Sequence, residues 1–173
     1  MASKVLMSVE EYLHTSFEGA DCEYVDGEIV ERNLGQTLHG TIQLWLGYLL
    51  ISLANKFGIR ASTEVRIRIS ASRYRIPDIS VWRAETDIGD GIPKAPPFLA
   101  IEILSPDDRT IRLLEKIQDY FAAGVEWVWI VDPYERKAMI CSHANRAPQS
   151  TELLRTENPA IELALAEVLA PRI

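Results

Sequence analysis

Residues Phe98 to Val131 hold the tightest constraint on what this chain can become. Phe98-Leu99-Ala100-Ile101-Glu102-Ile103-Leu104 is an apolar, strand-like run. From about Thr110 to Ala123, Leu113, Leu114, Ile117, Tyr120 and Phe121 recur at helical spacing, and Gly124 follows as a stop. Trp127-Val128-Trp129-Ile130-Val131 is a second strand-like run. Two strands joined through one helix in the same sheet are parallel and connected by a right-handed crossover. That unit places the chain among α/β folds with at least part of the sheet covered on both faces.

The flanking sequence adds strands and helices to this unit. Ser8-Val9-Glu10-Glu11 is a capping-box pattern and predicts a short helix from Val9 to Thr15. Asp26-Gly27, between two alternating segments that run from Cys22 to Glu31, predicts a two-residue hairpin turn. From His39 to Phe57, apolar residues occupy more than one face, so this helix is expected to be buried against a sheet until Gly58 ends it. Ala61 to Ile69 alternates, with Val65, Ile67 and Ile69 on one face and Glu64, Arg66 and Arg68 on the other, and reads as one half-exposed strand. Asp87 to Pro97 reads as a loop, and Ser105-Pro106-Asp107-Asp108 offers helix caps. Arg136 to Cys141 is a further strand behind an Asp132-Pro133 turn. His143 to Pro159 shows no clear pattern, and Ile161 to Leu169 fits a closing strand or a short helix. The expectation is one mixed-sheet domain spanning residues 1 to 173.

Composition narrows the setting. With 47% hydrophobic and 25% charged residues the chain is globular. No apolar run approaches the roughly 20 residues of a membrane span, and the N-terminus lacks the order of a signal peptide, so a cytoplasmic protein is expected. Cys22 and Cys141 are isolated and read as reduced thiols. A net charge of -7 argues against generalised nucleic-acid affinity. Between Arg60 and Arg83, however, six arginines face only two acids, which is either a solvated strand face or a phosphate-facing surface.

Two carboxylates stand out because they interrupt strand-like apolar runs. Asp78 lies in Ile76-Pro77-Asp78-Ile79, and Glu102 in Ala100-Ile101-Glu102-Ile103. An ionised carboxylate there is costly unless it is paired or binds a metal. Asp78 could instead cap a turn, Glu102 could pair with a buried arginine such as Arg75, and Lys116 could pair with Asp119 on its own helix. If both acids hold a hard cation, Mg²⁺ fits, with oxygen ligands, retained waters and a phosphate oxygen.

The same residues carry a family resemblance. Ile76-Pro77-Asp78, Ala100-Ile101-Glu102-Ile103-Leu104-Ser105-Pro106, Glu115-Lys116, Tyr120, Gly124-Val125 and Trp129-Ile130-Val131-Asp132-Pro133 resemble the Uma-two family of restriction-endonuclease-like proteins, within the PD-(D/E)XK nuclease superfamily. Glu23-Tyr24-Val25-Asp26-Gly27-Glu28 and His39 are similar to that family's opening. The resemblance implies a restriction-endonuclease-like mixed β-sheet flanked by helices and an endonuclease acting on DNA with Mg²⁺, or Mn²⁺ in its place. It also implies a homodimer. Asp78 and Glu102 would hold the metal. Where the superfamily expects a lysine two residues after the acid, this chain has Leu104, and the family's lysine on the following helix corresponds to Lys116. Glu28 and His39 would stand beside the site as a third ligand or a proton shuttle, or else be an ordinary hairpin charge and a helix-start residue. Without turnover, the same fold would serve as a dimeric nucleic-acid- or protein-binding module.

Overall fold

The computed structural model of the chain describes residues 6–33, 36–106, 108 and 110–171. It opens with helix α1 (Val9–His14), where the Ser8 hydroxyl accepts from the Glu11 amide and Glu11 reaches back to Ser8. Strands β1 (Glu23–Val25) and β2 (Glu28–Val30) form the hairpin. Its turn places Asp26 and Gly27 at φ 51° and 96°, the left-handed pair that a two-residue loop requires. Helix α2 (Thr37–Ser52) runs into the short α3 (Ala54–Phe57), and Gly58 at φ 61° ends it. Strands β3 (Ile59–Thr63), β4 (Ile67–Ser70), β5 (Arg73–Arg75), β6 (Ile79–Arg83) and β7 (Leu99–Ile103) lead to helix α4 (Thr110–Ala123). Strands β8 (Trp127–Asp132), β9 (Lys137–Ser142), β10 (Gln149–Thr151), β11 (Leu153–Arg155) and β12 (Glu162–Ala164) follow, and α5 (Leu165–Val168) is the last element.

Six strands form the main sheet in the order β10-β9-β8-β7-β6-β3. β7 and β8 are parallel, as the intervening α4 demands, and the other neighbours are antiparallel. A smaller sheet has the order β2-β1-β5-β4, and β11 pairs with β12. Alternation along the central strands supplies two cores. Ile79, Val81, Leu99, Ile101, Ile103 and Trp129 pack against Ile42, Leu46 and Leu50 of α2. On the opposite face Trp82, Ala100, Val128 and Ile130 pack against Ile117, Tyr120 and Phe121 of α4, with Ile67 of β4 beside them. Each fully buried aliphatic side chain here contributes about 1.5–3 kcal/mol. Trp127 and Trp129 share the α2 side, so they are core residues rather than stacking platforms. A third cluster, Tyr12, Tyr24 and Tyr74, ties α1 to the small sheet.

Three local expectations change. Residues 61–69 are not one strand. Glu64 takes φ 57°, and the chain passes there from β3 in the main sheet to β4 in the small one. Val65, Ile67 and Ile69 keep their apolar face, which is why the alternation reads as continuous. Residues 143–159 contain β10 and β11. Their residues are mostly exposed, so no period of buried positions betrays them. The closing segment is both a strand, β12, and a helix, α5. Asp107, one of the cap candidates, lies outside the described residues, while Asp108 accepts from the Ser105 amide at 2.5 Å.

Candidate functional site

The β6–β7 ladder closes on the pair Ile79 and Ile101. Asp78 thus directly precedes β6 and Glu102 follows Ile101 in β7, so both carboxylates flank the last pair of that ladder and line the same pocket. Pro77 ends β5's extension and delivers Asp78 to the start of β6.

Asp78 is held at both oxygens. Oδ2 accepts from the Ile103 amide at 2.7 Å and lies 3.3 Å from His39 Nε2. Oδ1 accepts from Arg32 Nη2 at 2.9 Å. Burial raises the Asp78 pKa most strongly, but the His39 bond, Lys116 and the Ile103 amide outweigh it and hold the carboxyl below its ordinary range. His39, in the first turn of α2, has its pKa raised chiefly by the bond to Asp78.

Glu102 meets α4. Lys116 Nζ lies 2.7 Å from Oε2, and the Tyr120 hydroxyl donates to Oε1. Lys116 and Tyr120 are four residues apart, so they share one helix face and converge on the same carboxylate. Burial first, then the negative fields of Asp78 and Glu23, push the Glu102 carboxyl up to about 7 despite the pull of Lys116. Burial opposes the Lys116 charge, yet Glu102, Glu23 and Asp78 together raise its pKa. Tyr120 is raised as well, by burial and then by Glu102.

Glu23 of β1 completes the group. Its Oε1 is 3.2 Å from Lys116 Nζ, and its Oε2 accepts from Arg75 at 2.8 Å. Arg75 continues to Asp119 of α4, which also accepts from Arg73 at 2.8 Å, and Arg73 pairs with Asp26 at the hairpin turn. A ladder of alternating charges thus runs from the pocket to the turn of β1 and β2.

All five side chains singled out in the sequence, Glu28, His39, Asp78, Glu102 and Lys116, line one pocket of about 280 Å³, with Glu23 among them. Two pairings differ from the alternatives weighed above. Arg75 pairs with Glu23 and Asp119 rather than Glu102, and Lys116 turns to Glu102 rather than Asp119. Sequence reasoning missed Glu23, Arg32 and Tyr120. Glu23 had a signal, a carboxylate inside the strand-like Cys22 to Val25, of the same kind that marked Asp78. Arg32 had none.

The arginine-rich segment is largely internal wiring. Arg66 pairs with Asp21, bonds the Tyr12 and Thr15 carbonyls and stacks 4.4 Å over the Tyr12 ring. Arg73 and Arg75 serve the ladder, and Arg83 pairs with Glu126. The charges of these four are met by acids and carbonyls, while Arg60 and Arg68 are exposed and bond the Thr86 and Ser70 carbonyls.

The pocket suits a hard divalent cation. Glu102, Glu23 and Asp78 all act on Lys116, and burial, then Asp78 and Glu23, raise the Glu102 carboxyl. Among the described residues, no three His, Cys, Asp or Glu side chains close on a single metal-binding point. Asp78 and Glu102 could serve a cation there only as two carboxylate donors, with water and ligand oxygens supplying the rest. Cys22 and Cys141 are free and buried. No helix among the described residues is long and apolar enough to cross a membrane.

Comparison with known proteins agrees with this geometry. A crystal structure described as a "putative nuclease" of DUF820 from Anabaena variabilis superposes with a TM-score of 0.82 at 21% identity, over 95% of this chain and 98% of that one. At that identity the likeness establishes the fold, a nuclease-like mixed sheet flanked by helices. No curated protein matches the chain. A family model does match, over residues 9–170, and by it the chain belongs to the Uma2 family, described as "Putative restriction endonuclease".

Proposed function

We propose that the protein is a divalent-cation-dependent endonuclease that hydrolyses DNA phosphodiesters, with residues 1–173 acting as one nuclease domain. The observation that carries this is that Asp78 and Glu102 line one pocket, with Lys116 Nζ 2.7 Å from Glu102. Asp78 and Glu102 would hold Mg²⁺, or Mn²⁺ in its place. A cation bound there supplies Lewis acidity to a phosphate oxygen and lowers the pKa of a water. Lys116 presents its ammonium to the negative charge that develops on the phosphate, and Glu23 keeps the lysine aimed when Glu102 turns away from it. His39 fixes the inner oxygen of Asp78. Glu28 and His39 line the same pocket, and either would carry a proton there.

The test is cleavage of plasmid and linear DNA with Mg²⁺ or Mn²⁺. Glu102→Gln should abolish it. Lys116→Ala should lower turnover by a factor on the order of 10² to 10³ with DNA binding retained. Lys116→Arg should restore little, because a planar guanidinium does not replace a compact ammonium. Wild-type protein that binds DNA but cleaves no form of it would make the chain a binding module on a nuclease fold.

We also assign the protein to homodimers. Leu44, Tyr48 and Ile51 are 77%, 57% and 65% exposed and lie along one stripe of α2, a helix with no Asp, Glu, Lys or Arg. An uncharged apolar stripe can face its own copy across a two-fold axis without like-charge repulsion. Light scattering should give twice the chain mass at micromolar concentration, and Tyr48→Glu should return it to one.

A further inference from the structure

We infer that Arg32 is a built-in competitor for the cation, holding the one Asp78 oxygen through which a metal can reach that carboxylate. The inference rests on the cation site proposed above. Oδ2 of Asp78 is committed to the fold. It takes the Ile103 amide, a strand group that cannot leave without opening the sheet, and it borders His39. That leaves Oδ1, which accepts from Arg32 Nη2 at 2.9 Å. Both partners are nearly sealed from water, with side chains 12% and 6% exposed, so the pair is a specific contact rather than a passing surface one.

Arg32 also has somewhere to go. Its other nitrogen is bonded to Glu64, whose side chain is 42% exposed at the rim. The guanidinium can release Asp78 while keeping Glu64, and it stays on the pocket wall. In the metal-free protein Arg32 thus occupies that oxygen, and metal binding there is an exchange of one cation for another. Such an exchange raises the apparent Kd by the inverse of the fraction of time the competitor is unseated. It also favours an ion of higher charge density over a monovalent one, because only the former gains enough from two carboxylates to unseat a guanidinium.

The experiment is calorimetric titration of the full chain with MnCl₂, without DNA, for wild type, Arg32→Gln and Glu102→Gln. Arg32→Gln should bind Mn²⁺ about tenfold more tightly than wild type, the factor expected for a competitor seated about nine-tenths of the time. Equal or weaker binding by folded Arg32→Gln, with wild-type binding lost in Glu102→Gln, overturns the role of Arg32 and leaves the cation site standing. No binding by wild type or Arg32→Gln overturns both. Should Arg32→Gln not fold, Arg32→Lys decides. A single ammonium cannot hold Asp78 and Glu64 as a fork does, so its Mn²⁺ affinity should rise by about two- to threefold, and an unchanged affinity overturns the inference.

Discussion

Glu102→Gln gives a direct measure of how much the cleft destabilises the metal-free protein. In the folded chain the Glu102 carboxyl is pushed up to about 7 from an ordinary 4.5, by burial and then by Asp78 and Glu23. Between those two values the folded protein keeps a proton that the unfolded chain has released. Stability must therefore fall as pH rises through that window, and above about 7 the loss is complete. Its size is roughly 3 kcal/mol, at about 1.4 kcal/mol for each pH unit separating the two states. Glutamine has no proton to lose. Plotted against pH, the stability of Glu102→Gln relative to wild type should climb by about that amount from pH 4.5 to 7.5. Urea unfolding in EDTA, followed by tryptophan fluorescence, measures it. Added Mn²⁺ should recover part of the wild-type loss at pH 8. Parallel curves for the two proteins would refute the reasoning, since they would mean that Glu102 ionises without penalty.

Arg75→Met should cost about 3–5 kcal/mol, because it strands Glu23 and Asp119 in a buried setting; a urea midpoint within error of wild type at pH 7 would remove the ladder as a structural support. Gly27→Ala should cost about 1–2 kcal/mol in the same assay, since φ is 96° and an added Cβ would lie 3.1 Å from Leu6 Cδ2. Ser8→Ala should cost about 1 kcal/mol and speed amide exchange in α1 before any other helix, as it removes the hydroxyl that accepts from the Glu11 amide and leaves only the backbone half of the capping box.

What the sequence disclosed depended on whether a signal was local. The α1 capping box, the Asp26-Gly27 turn and α4 with its Gly124 stop are short-range chemistry, and each stands where its residues put it. The parallel pairing of β7 and β8 followed from connectivity alone. The split at Glu64 was invisible because alternation is the same whether a strand stays in its sheet or moves to the next. Strands β10 and β11 escaped because an exposed edge has no buried face to print a period. In the pocket, Asp78 and Glu102 announced themselves as charges in apolar runs. Arg32 and Tyr120 did not, because what matters about them is a partner 46 or 18 residues away. Four of the six arginines between Arg60 and Arg83 show the mirror case: their acids, Asp21, Asp119 and Glu126 among them, lie outside that stretch.

That Lys116 rides on α4 rather than on the strand of Glu102 bears on how the gene can drift. A residue two positions along a strand is locked to its neighbour's register, so insertions near it are fatal to the pair. Here the spacer between β7 and Thr110 can lengthen or shorten, provided that Ile117, Tyr120 and Phe121 still seat α4 on the sheet. An insertion between Thr110 and Lys116 can likewise be absorbed by adding to the helix's free end. One inserted residue between Lys116 and Ile117 cannot, for it turns the ammonium about 100° around the helix axis, away from Glu102. Length variation among descendants of this chain should gather before Thr110 and vanish from Lys116 to Phe121.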